Sequence, residues 1–375
     1  MSTSSDRESS SSRFLPRSEL QSLLDALRRR GYQCVGPQVK EGGIVYAPLT
    51  SVDDLPRGVN DQQSPGEYRL RDSGGARCFA WANGAQALKP LLFAPRETLW
   101  RVERGEDGHI HFRETLPAVS AIAVIGVRAC DLAALRIQDK IFLQGAHPDP
   151  YYAARRGGLF LVAVNCSHPA QTCFCASTGD GPSAVDGYDL VLDELDEGFL
   201  VAAGSDTGAA LLDDLTLAVT SDAQRRAVER QHAVAVQAQT RRLPSRNLRD
   251  ALFANLEHPR WQEVADRCLS CGNCTMVCPT CFCHAEQDQA QLDGASSEHQ
   301  REWDSCFTQG HSYIHGLTIR ADTRSRYRQW LTHKLGSWHD QFDTSGCVGC
   351  GRCISWCPVG IDITEEVSAI CGTEP

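Results

Sequence analysis

The stretch CLSCGNCTMVCP occupies residues 268–279, and the stretch CVGCGRCISWCP occupies residues 347–358. Both follow the pattern C-x2-C-x2-C-x3-C-P, in which three cysteines of a run bind one [4Fe–4S] cluster and the fourth binds the cluster of the other run. The fourth cysteine binds the other cluster because the short spacing does not let one run reach all four corners of a cluster. The pattern therefore predicts two [4Fe–4S] clusters. The ligands are Cys268, Cys271, Cys274 and Cys357 at the first cluster site, and Cys347, Cys350, Cys353 and Cys278 at the second.

Zinc is the other metal that C-x2-C pairs bind, usually as two pairs in a ribbon. A zinc ribbon has no use for the third cysteine, the x3 step or the proline, so we favour iron–sulfur clusters. Gly272, Gly349 and Gly351 let the backbone turn tightly and direct amide N–H groups at the sulfurs. Because a cysteine thiolate binds every iron, no iron is left open to a substrate. The runs therefore predict electron transfer, and no catalytic residue is predicted among them.

The 68 residues between Cys278 and Cys347 are too many for the short hairpin region of a compact bacterial ferredoxin. Residues 300–342 within this insert are rich in aromatic and basic side chains and have a helical tendency. We therefore expect an α-helical ferredoxin-like domain over residues 246–375, after a linker at residues 243–247.

The N-terminal part of the chain has the strand, helix, strand order of an α/β domain with parallel strands. A first helix is indicated by an i, i+3, i+4, i+7 stripe of Leu20, Leu23, Leu24 and Leu27. Asp131 is placed to cap a later helix. The other predicted elements are strands at Ala121–Val127, Leu159–Asn165, Tyr188–Leu195 and Phe199–Ala203, and a helix at Ala223–Thr240. This domain is expected over residues 14–245, behind a disordered tail at residues 1–13.

Four further cysteines fall near the ends of the first two of those strands. Cys130 follows one strand, and Cys166 follows the next, with Cys173 and Cys175 shortly after it. If the strands are parallel, these thiols meet at the edge where open α/β sheets bind ligands. A third [4Fe–4S] cluster is one interpretation; buried unpaired thiols or a zinc site are the alternatives.

The tetrapeptide Thr-Cys-Phe-Cys occurs at residues 172–175 and again at residues 280–283. With Cys306, the second copy leaves three thiols, Cys281, Cys283 and Cys306, without an evident fourth. They are candidates for the edge of a cluster, for a redox-active pair, or for a persulfide carrier, and the sequence does not choose among these. The histidines, such as His311, are scattered, and we expect surface or core roles for them.

The composition and charge of the chain argue against several classes of function. The 375 residues carry a formal net charge of −10, which argues against unaided binding of nucleic acid. No stretch approaches the roughly 18 apolar residues of a membrane span, and residues 1–13 do not resemble a secretory signal. Without an export signal, the 18 cysteines indicate metal ligation rather than disulfides. No Gly-rich nucleotide-binding loop is present, so a flavin or nicotinamide is expected on another subunit.

Several motifs carry a resemblance that spans about residues 14–365. They are GVRACDLAAL at 126–135, DPYY at 149–152, Asn165-Cys166, Cys173-Phe174-Cys175, Gly187-Tyr188-Asp189, CPTCFC at 278–283, WDSC at 303–306 and CVGCGRC at 347–353. In this order they resemble the sulfhydrogenase beta subunit and the anaerobic sulfite reductase A subunit.

The resemblance implies an electron-transfer subunit of a cytoplasmic complex. In the hydrogenase branch, the chain would link a flavin and NAD(P)-binding subunit to the small and large subunits of a [NiFe] hydrogenase. In the sulfite reductase branch, it would serve a sirohaem subunit. The family's beta subunits have also been named sulfur reductases, which would give the non-ferredoxin cysteines a catalytic role. The resemblance does not choose between these complexes.

Overall fold

The computed structural model describes residues 13–118, 120–292 and 294–372. The longer strands are β1 (Arg13–Pro16), β2 (Gln33–Lys40), β3 (Gly43–Pro48), β4 (Val59–Ser64), β5 (Glu67–Asp72), β6 (Arg96–Arg104), β7 (Ile110–Glu114), β8 (Ile122–Val127), β9 (Leu159–Val164), β10 (Leu190–Glu194), β11 (Gly198–Ala203), β13 (His284–Ala290) and β14 (Ser296–Trp303). Three short strands are β12 (Ala218–Val219), β15 (Tyr313–Ile314) and β16 (Leu317–Thr318).

The helices are α1 (Leu20–Arg29), α2 (Lys89–Leu92), α3 (Ala129–Phe142), α4 (Pro150–Arg156), α5 (Cys175–Thr178), α6 (Asp206–Leu212), α7 (Asp222–Gln237), α8 (Leu248–Ala254), α9 (Arg260–Arg267), α10 (Asn273–Met276), α11 (Thr323–Thr332), α12 (Trp338–Phe342), α13 (Arg352–Ser355) and α14 (Ile363–Cys371). A π-helical turn at His333–Ser337 joins α11 to α12.

An eight-stranded mixed sheet forms the N-terminal part, in the order β12-β1-β11-β10-β9-β8-β2-β3. The pairs β2–β8, β8–β9 and β9–β10 are parallel, and the outer pairs are antiparallel. This confirms the α/β interpretation and the predicted strands, whose bounds in the structure lie within two residues of the expected ones. The parallel centre brings the carboxyl ends of β8 and β9 to one edge.

Alternate residues of the central strands pack into two cores, one on each face of the sheet. Ala123 and Ile125 face the core that contains the leucine stripe of α1, and Val124 faces the core under α3 and α4. Gly126 interrupts this alternation as a bulge with φ of 87°, and a Cβ there would lie 3.0 Å from the Phe79 ring. The bulge ends β8 just before the segment that carries Cys130.

The insert between the two cysteine runs is only partly helical. Helices α11 and α12 fulfil the expectation, but β13 and β14 form a hairpin that pairs with β6 in a four-stranded antiparallel sheet of order β13-β14-β6-β7. Strands from both sides of residue 245 therefore share one sheet. The division of domains at that residue stays a prediction.

Two further expectations concern the N-terminal cap of α3 and the tail at residues 1–13. Arg128, not Asp131, is the N-cap residue of α3; Asp131 lies in the first turn, where its buried carboxylate accepts hydrogen bonds from Asn83 and Arg352. Of the predicted tail, residues 1–12 lie outside the described residues, and Arg13 belongs to β1. Among the described residues, no helix has both the length and the apolarity to cross a membrane.

Candidate iron–sulfur sites

The first cluster site is a cavity between the two cysteine runs. All four predicted ligands line it, together with Cys353 and a wall of aromatic and aliphatic side chains. The backbone N–H of Ser270 donates to the sulfur of Cys268 at 3.4 Å, and that of Ile361 donates to the sulfur of Cys357 at 3.3 Å. Amide donors of this kind stabilise thiolate ligands. The structure thus brings together the thiols that the sequence assigned to this site.

Equivalent turns build the two runs. Gly272, with φ of 75°, is the N-cap residue of α10, and Gly351, with φ of 72°, is the N-cap residue of α13. Each run therefore changes direction at its glycine and continues as a single helical turn. Only glycine adopts this left-handed conformation without strain. The turns carry the third cysteine of each run, Cys274 and Cys353, into the interior.

The second cluster site contains the remaining predicted ligands. The thiol of Cys278 interacts electrostatically with those of Cys347, Cys350 and Cys353. Cys278 is buried, and its pKa lies well below the ordinary value because of a hydrogen bond with Cys281 and the positive charge of Lys334. A buried thiol held as thiolate is suited to bind iron.

Lys334 is a member of this site that the sequence did not reveal. Its buried ammonium donates to the Cys278 sulfur at 3.4 Å, to Thr280 Oγ1 at 2.8 Å and to the Gly346 carbonyl at 3.0 Å. Burial favours the neutral amine, but the surrounding thiols outweigh it and raise the pKa of Lys334. The lysine therefore places a full positive charge against the second cluster site.

The N-terminal thiol site, made of Cys130, Cys166, Cys173 and Cys175, lies at the carboxyl edge of the parallel strands. The four side chains line one pocket with Arg128 and Cys350. Burial raises the pKa of each thiol, and that of Cys175 rises to about 12. Buried thiols of this kind lose their protons when they bind a metal, because the metal replaces the proton on each sulfur. The convergence expected from strand order is present.

Direct backbone contact joins this N-terminal thiol site to the second run. The Phe174 N–H donates to the Gly349 carbonyl at 2.8 Å, and a Cβ on Gly349 would lie 2.6 Å from the Cys175 Cα. Nearby, Arg352 donates to both carboxylate oxygens of Asp131 at 2.8 and 3.0 Å, and both side chains are almost fully buried. Removing one partner of such a pair costs about 3–5 kcal/mol.

A single metal ion and a cluster require different arrangements of thiols. Within residues 13–118, 120–292 and 294–372, no three His, Cys, Asp or Glu side chains converge closely enough to hold one metal ion. A zinc ion needs its ligands within about 2.0–2.3 Å of one point. In a [4Fe–4S] cluster each iron takes its own thiolate, so the ligands line a larger space.

The three thiols without an assignment line a separate pocket. Cys281, Cys283 and Cys306 share it with His311, Arg320 and Lys334. The sequence left the partners of these thiols open; in the structure, Cys281 hydrogen-bonds with Cys278, and Cys283 hydrogen-bonds with Cys306.

His311 was also unexpected in this pocket. It hydrogen-bonds with Cys283, and its Nδ1 lies 2.6 Å from Asp304 Oδ2. The only local signal was the sequence Asp304-Ser305-Cys306, five residues before the histidine.

Comparison with known proteins agrees with the cysteine pattern. Residues 267–361 match a family described as 4Fe-4S dicluster domain, and residues 230–282 match a second family of the same description. Sulfhydrogenase 2 subunit beta of Pyrococcus furiosus is 33% identical over 290 residues, which cover 75% of this chain and 82% of that relative. No solved structure matches the chain significantly.

Proposed function

The chain belongs to the family of sulfhydrogenase beta subunits, and from this premise we propose that it relays single electrons between a flavin and NAD(P)-binding subunit and the two subunits of a [NiFe] hydrogenase. It is an iron–sulfur electron-transfer subunit. The complex is proposed to be cytoplasmic. The name of the relative favours the hydrogenase branch over an anaerobic sulfite reductase with a sirohaem subunit.

One observation carries the proposal: three thiol-lined sites lie side by side through the protein. Cys353, a predicted ligand of the second cluster site, also lines the cavity of the first. Cys350, another predicted ligand of the second site, lines the N-terminal thiol pocket. Because electron transfer slows steeply with distance, neighbouring sites of this kind suit a relay.

Each bound [4Fe–4S] cluster would supply a centre that gains and loses one electron. The protein would hold it with four thiolates, surround it with apolar side chains that keep water out, and adjust its potential with amide donors and buried cations. Lys334 and Arg352 provide such cations at the second cluster site. Fully ligated irons leave the chemistry of substrates to other subunits.

The N-terminal thiol site is proposed to hold a third [4Fe–4S] cluster. The four thiols face one pocket, Cys173 and Cys175 are buried, and Arg128 beside them offsets negative charge. Unpaired thiols or a zinc ion at this site are the outcomes that would contradict the proposal.

Electron counting tests the relay. Protein purified without oxygen and titrated with dithionite is expected to accept three electrons per chain, and Cys175→Ser is expected to accept two. Cys34→Ser serves as the matched control, since Cys34 is a buried thiol of the α1 core. A wild-type chain that accepts no electrons would refute the relay, and one that accepts two would refute the third site.

The proposed partners require a separate test. A tagged chain isolated from its native cells should bring with it a flavoprotein and the two [NiFe] hydrogenase subunits, identified by mass spectrometry. Recovery of a sirohaem protein in their place would overturn the choice of complex and leave the relay intact.

A further inference from the structure

The first cluster site reaches the surface of the protein. Of the twelve cysteines assigned to the three sites, Cys271 is the one that is exposed. Leu269, which lines the same cavity, leaves 64% of its surface uncovered. An electron-carrying centre of another protein can therefore approach the relay most closely at Cys271.

The segment that carries the β15–β16 hairpin is fixed on both sides of this exposed thiol. At its start, Ser305 packs so closely on Gly272 that a Cβ on the glycine would lie 2.9 Å from the serine hydroxyl. At its end, the hydroxyl of Thr323 lies 3.0 Å from that of Ser270. Ser270 and Gly272 are the two neighbours of Cys271 in the chain. The last residue of β16 is five residues from Thr323 and so lies within about 18 Å of this anchor.

A tight turn gives the hairpin a defined shape. Its two central residues, His315 and Gly316, both have positive φ, of 46° and 88°. The flanking residues Ile314 and Leu317 are paired across the two strands. Two-residue loops with positive φ at both positions match the twist of antiparallel strands. The hairpin is therefore a preformed projection beside the first cluster site.

The hairpin exposes apolar side chains. Tyr313, Ile314, Leu317 and Ile319 are 55–65% exposed, and residues 308–319 contain no Asp, Glu, Lys or Arg. Apolar patches of a few hundred Å² on a protein surface are often interaction sites, and four large side chains that are more than half exposed make a patch of this order. Aromatic and aliphatic anchors without charged residues between them are typical of the centre of a protein–protein interface.

The two strands of the hairpin have no larger sheet to support them. In the part of the chain that the structure describes, β15 and β16 pair only with each other. An isolated two-stranded hairpin is marginally stable in water, because it buries little apolar surface. A protein that covers the exposed side chains would supply this missing burial.

One positive charge beside the hairpin has no carboxylate partner. Arg324 and Arg328 in α11 both pair with Glu257, at 2.7 and 2.9 Å. Arg320, which directly follows Ile319, forms no ion pair with the described residues, and its buried Nε has no hydrogen-bond partner among them. The edge of the apolar patch is therefore complementary to a negative charge, since a carboxylate can bind a guanidinium through paired hydrogen bonds.

We propose that the β15–β16 hairpin and the exposed edge of the first cluster site form the docking surface for the redox subunit that exchanges electrons with this chain. The partner presents an apolar groove to Tyr313, Ile314 and Leu317. It places a carboxylate against Arg320 and its own electron-carrying centre opposite Cys271. The inference rests on the proposed function, and it names the place at which the relay meets its partner.

Hydrogen exchange tests the surface without a substitution. The backbone amides of residues 313–319 should exchange about tenfold more slowly in the complex than in the isolated full chain, because the partner covers the hairpin. Residues 105–113 are the control, since they include Phe112, which is also exposed and apolar but belongs to the sheet β13-β14-β6-β7. Equal exchange of residues 313–319 in the two samples overturns the proposal.

A charge in the centre of the patch tests which protein binds there. Tagged chains are isolated without oxygen from native cells, and the dissociation constant of each redox subunit that accompanies them is measured. Leu317→Asp should bind one of these subunits about 30-fold more weakly than wild type, because the charge must lose its water in the groove. Phe112→Asp is the matched control and should bind it as wild type does.

Several results would overturn the proposal. They are equal binding by wild type and Leu317→Asp, an equal loss in Phe112→Asp, and the loss of a subunit that has no redox centre. Self-association of the chain that depends on Leu317, with no loss of a redox subunit, would show that a second copy covers the patch. The charge is tested separately: Arg320→Glu should weaken binding more at low than at high ionic strength, and an effect independent of salt contradicts the carboxylate.

A titration with dithionite separates this inference from the relay. Leu317→Asp should accept as many electrons from dithionite as wild type, because its cluster sites are intact. Electrons from the reduced partner, at a concentration well below saturation, should reach it about 30-fold more slowly. Full reduction by dithionite together with full binding of the partner refutes the docking surface alone, whereas a wild-type chain that accepts no electrons refutes the relay.

Discussion

Replacement of Lys334 by methionine removes one positive charge from the second cluster site and keeps most of the side-chain volume. The ammonium lies 3.4 Å from the sulfur of Cys278 and is almost completely buried. A positive charge stabilises the reduced, more negative form of a nearby cluster. Its loss should therefore lower the reduction potential of that cluster.

The size of the shift follows from this distance. Two unit charges 3.4 Å apart interact by about 5 kcal/mol at an effective dielectric constant of 20. If the added electron places about a quarter of its charge at this one of four thiolate corners, the effect is about 1.2 kcal/mol, or about 50 mV for a one-electron centre.

A redox titration followed by electron paramagnetic resonance measures this shift. One signal should move about 50 mV lower in Lys334→Met, and the others should stay near their wild-type potentials. Lys140→Met is the matched control, because the Lys140 ammonium donates to the Phe342 carbonyl. An unchanged or higher potential in Lys334→Met would refute the electrostatic role, and an equal shift in Lys140→Met would show that the effect is not local.

Two further predictions concern the contact of the second run with the N-terminal thiol site, and the thiol of Cys283. Gly349→Ala should lower the free energy of unfolding by about 2–5 kcal/mol, because alanine is strained in the left-handed conformation and its Cβ would crowd Cys175. Gly74→Ala is the control: Gly74 has a similar φ but open space around it, so this variant should lose only the conformational part. Equal melting temperatures of the two variants in circular dichroism would contradict this prediction. Alkylation of Cys283 by iodoacetamide should keep nearly the same rate from pH 8 to pH 6, because its pKa of about 4 leaves it a thiolate throughout, whereas an ordinary thiol slows about 100-fold. A tenfold loss per pH unit, measured by mass spectrometry of residues 268–301, would refute the depressed pKa.

The sequence was most informative where the signal is local. The spacing within each cysteine run determines which thiols meet, and the glycines at 272 and 351 match the turns that the structure contains. The apolar strands β8 and β9 were also recognisable, since buried parallel strands are continuous apolar runs. From these strands alone the convergence of Cys130 and Cys166 follows.

Contacts between distant segments were beyond such reasoning. The hairpin β13–β14 was missed because both strands are polar and lack the apolar and polar alternation that marks a half-buried strand. Asp131 is a good capping residue by type, yet its carboxylate pairs with Arg352, which lies 221 residues away. A residue pair of this separation leaves no periodic signal in a single sequence.

The electrostatics of the sites also depend on contacts between residues that are far apart in the sequence. Lys334 lies in the insert, 56 residues from Cys278, and only folding shows that its ammonium reaches that sulfur. The pairing of Cys283 with Cys306 similarly depends on how β13 and the end of β14 bring their flanking residues together. In both cases the residue types were visible in the sequence and their partners were not.

Three sites of four thiols each are proposed to hold [4Fe–4S] clusters and to form one relay. The most direct measurement is the number of iron atoms and of acid-labile sulfides per chain in protein purified without oxygen. Four of each per cluster gives about twelve iron atoms and twelve sulfides for three clusters. About eight of each would contradict the third cluster, and a protein that carries zinc with little iron would contradict the relay itself.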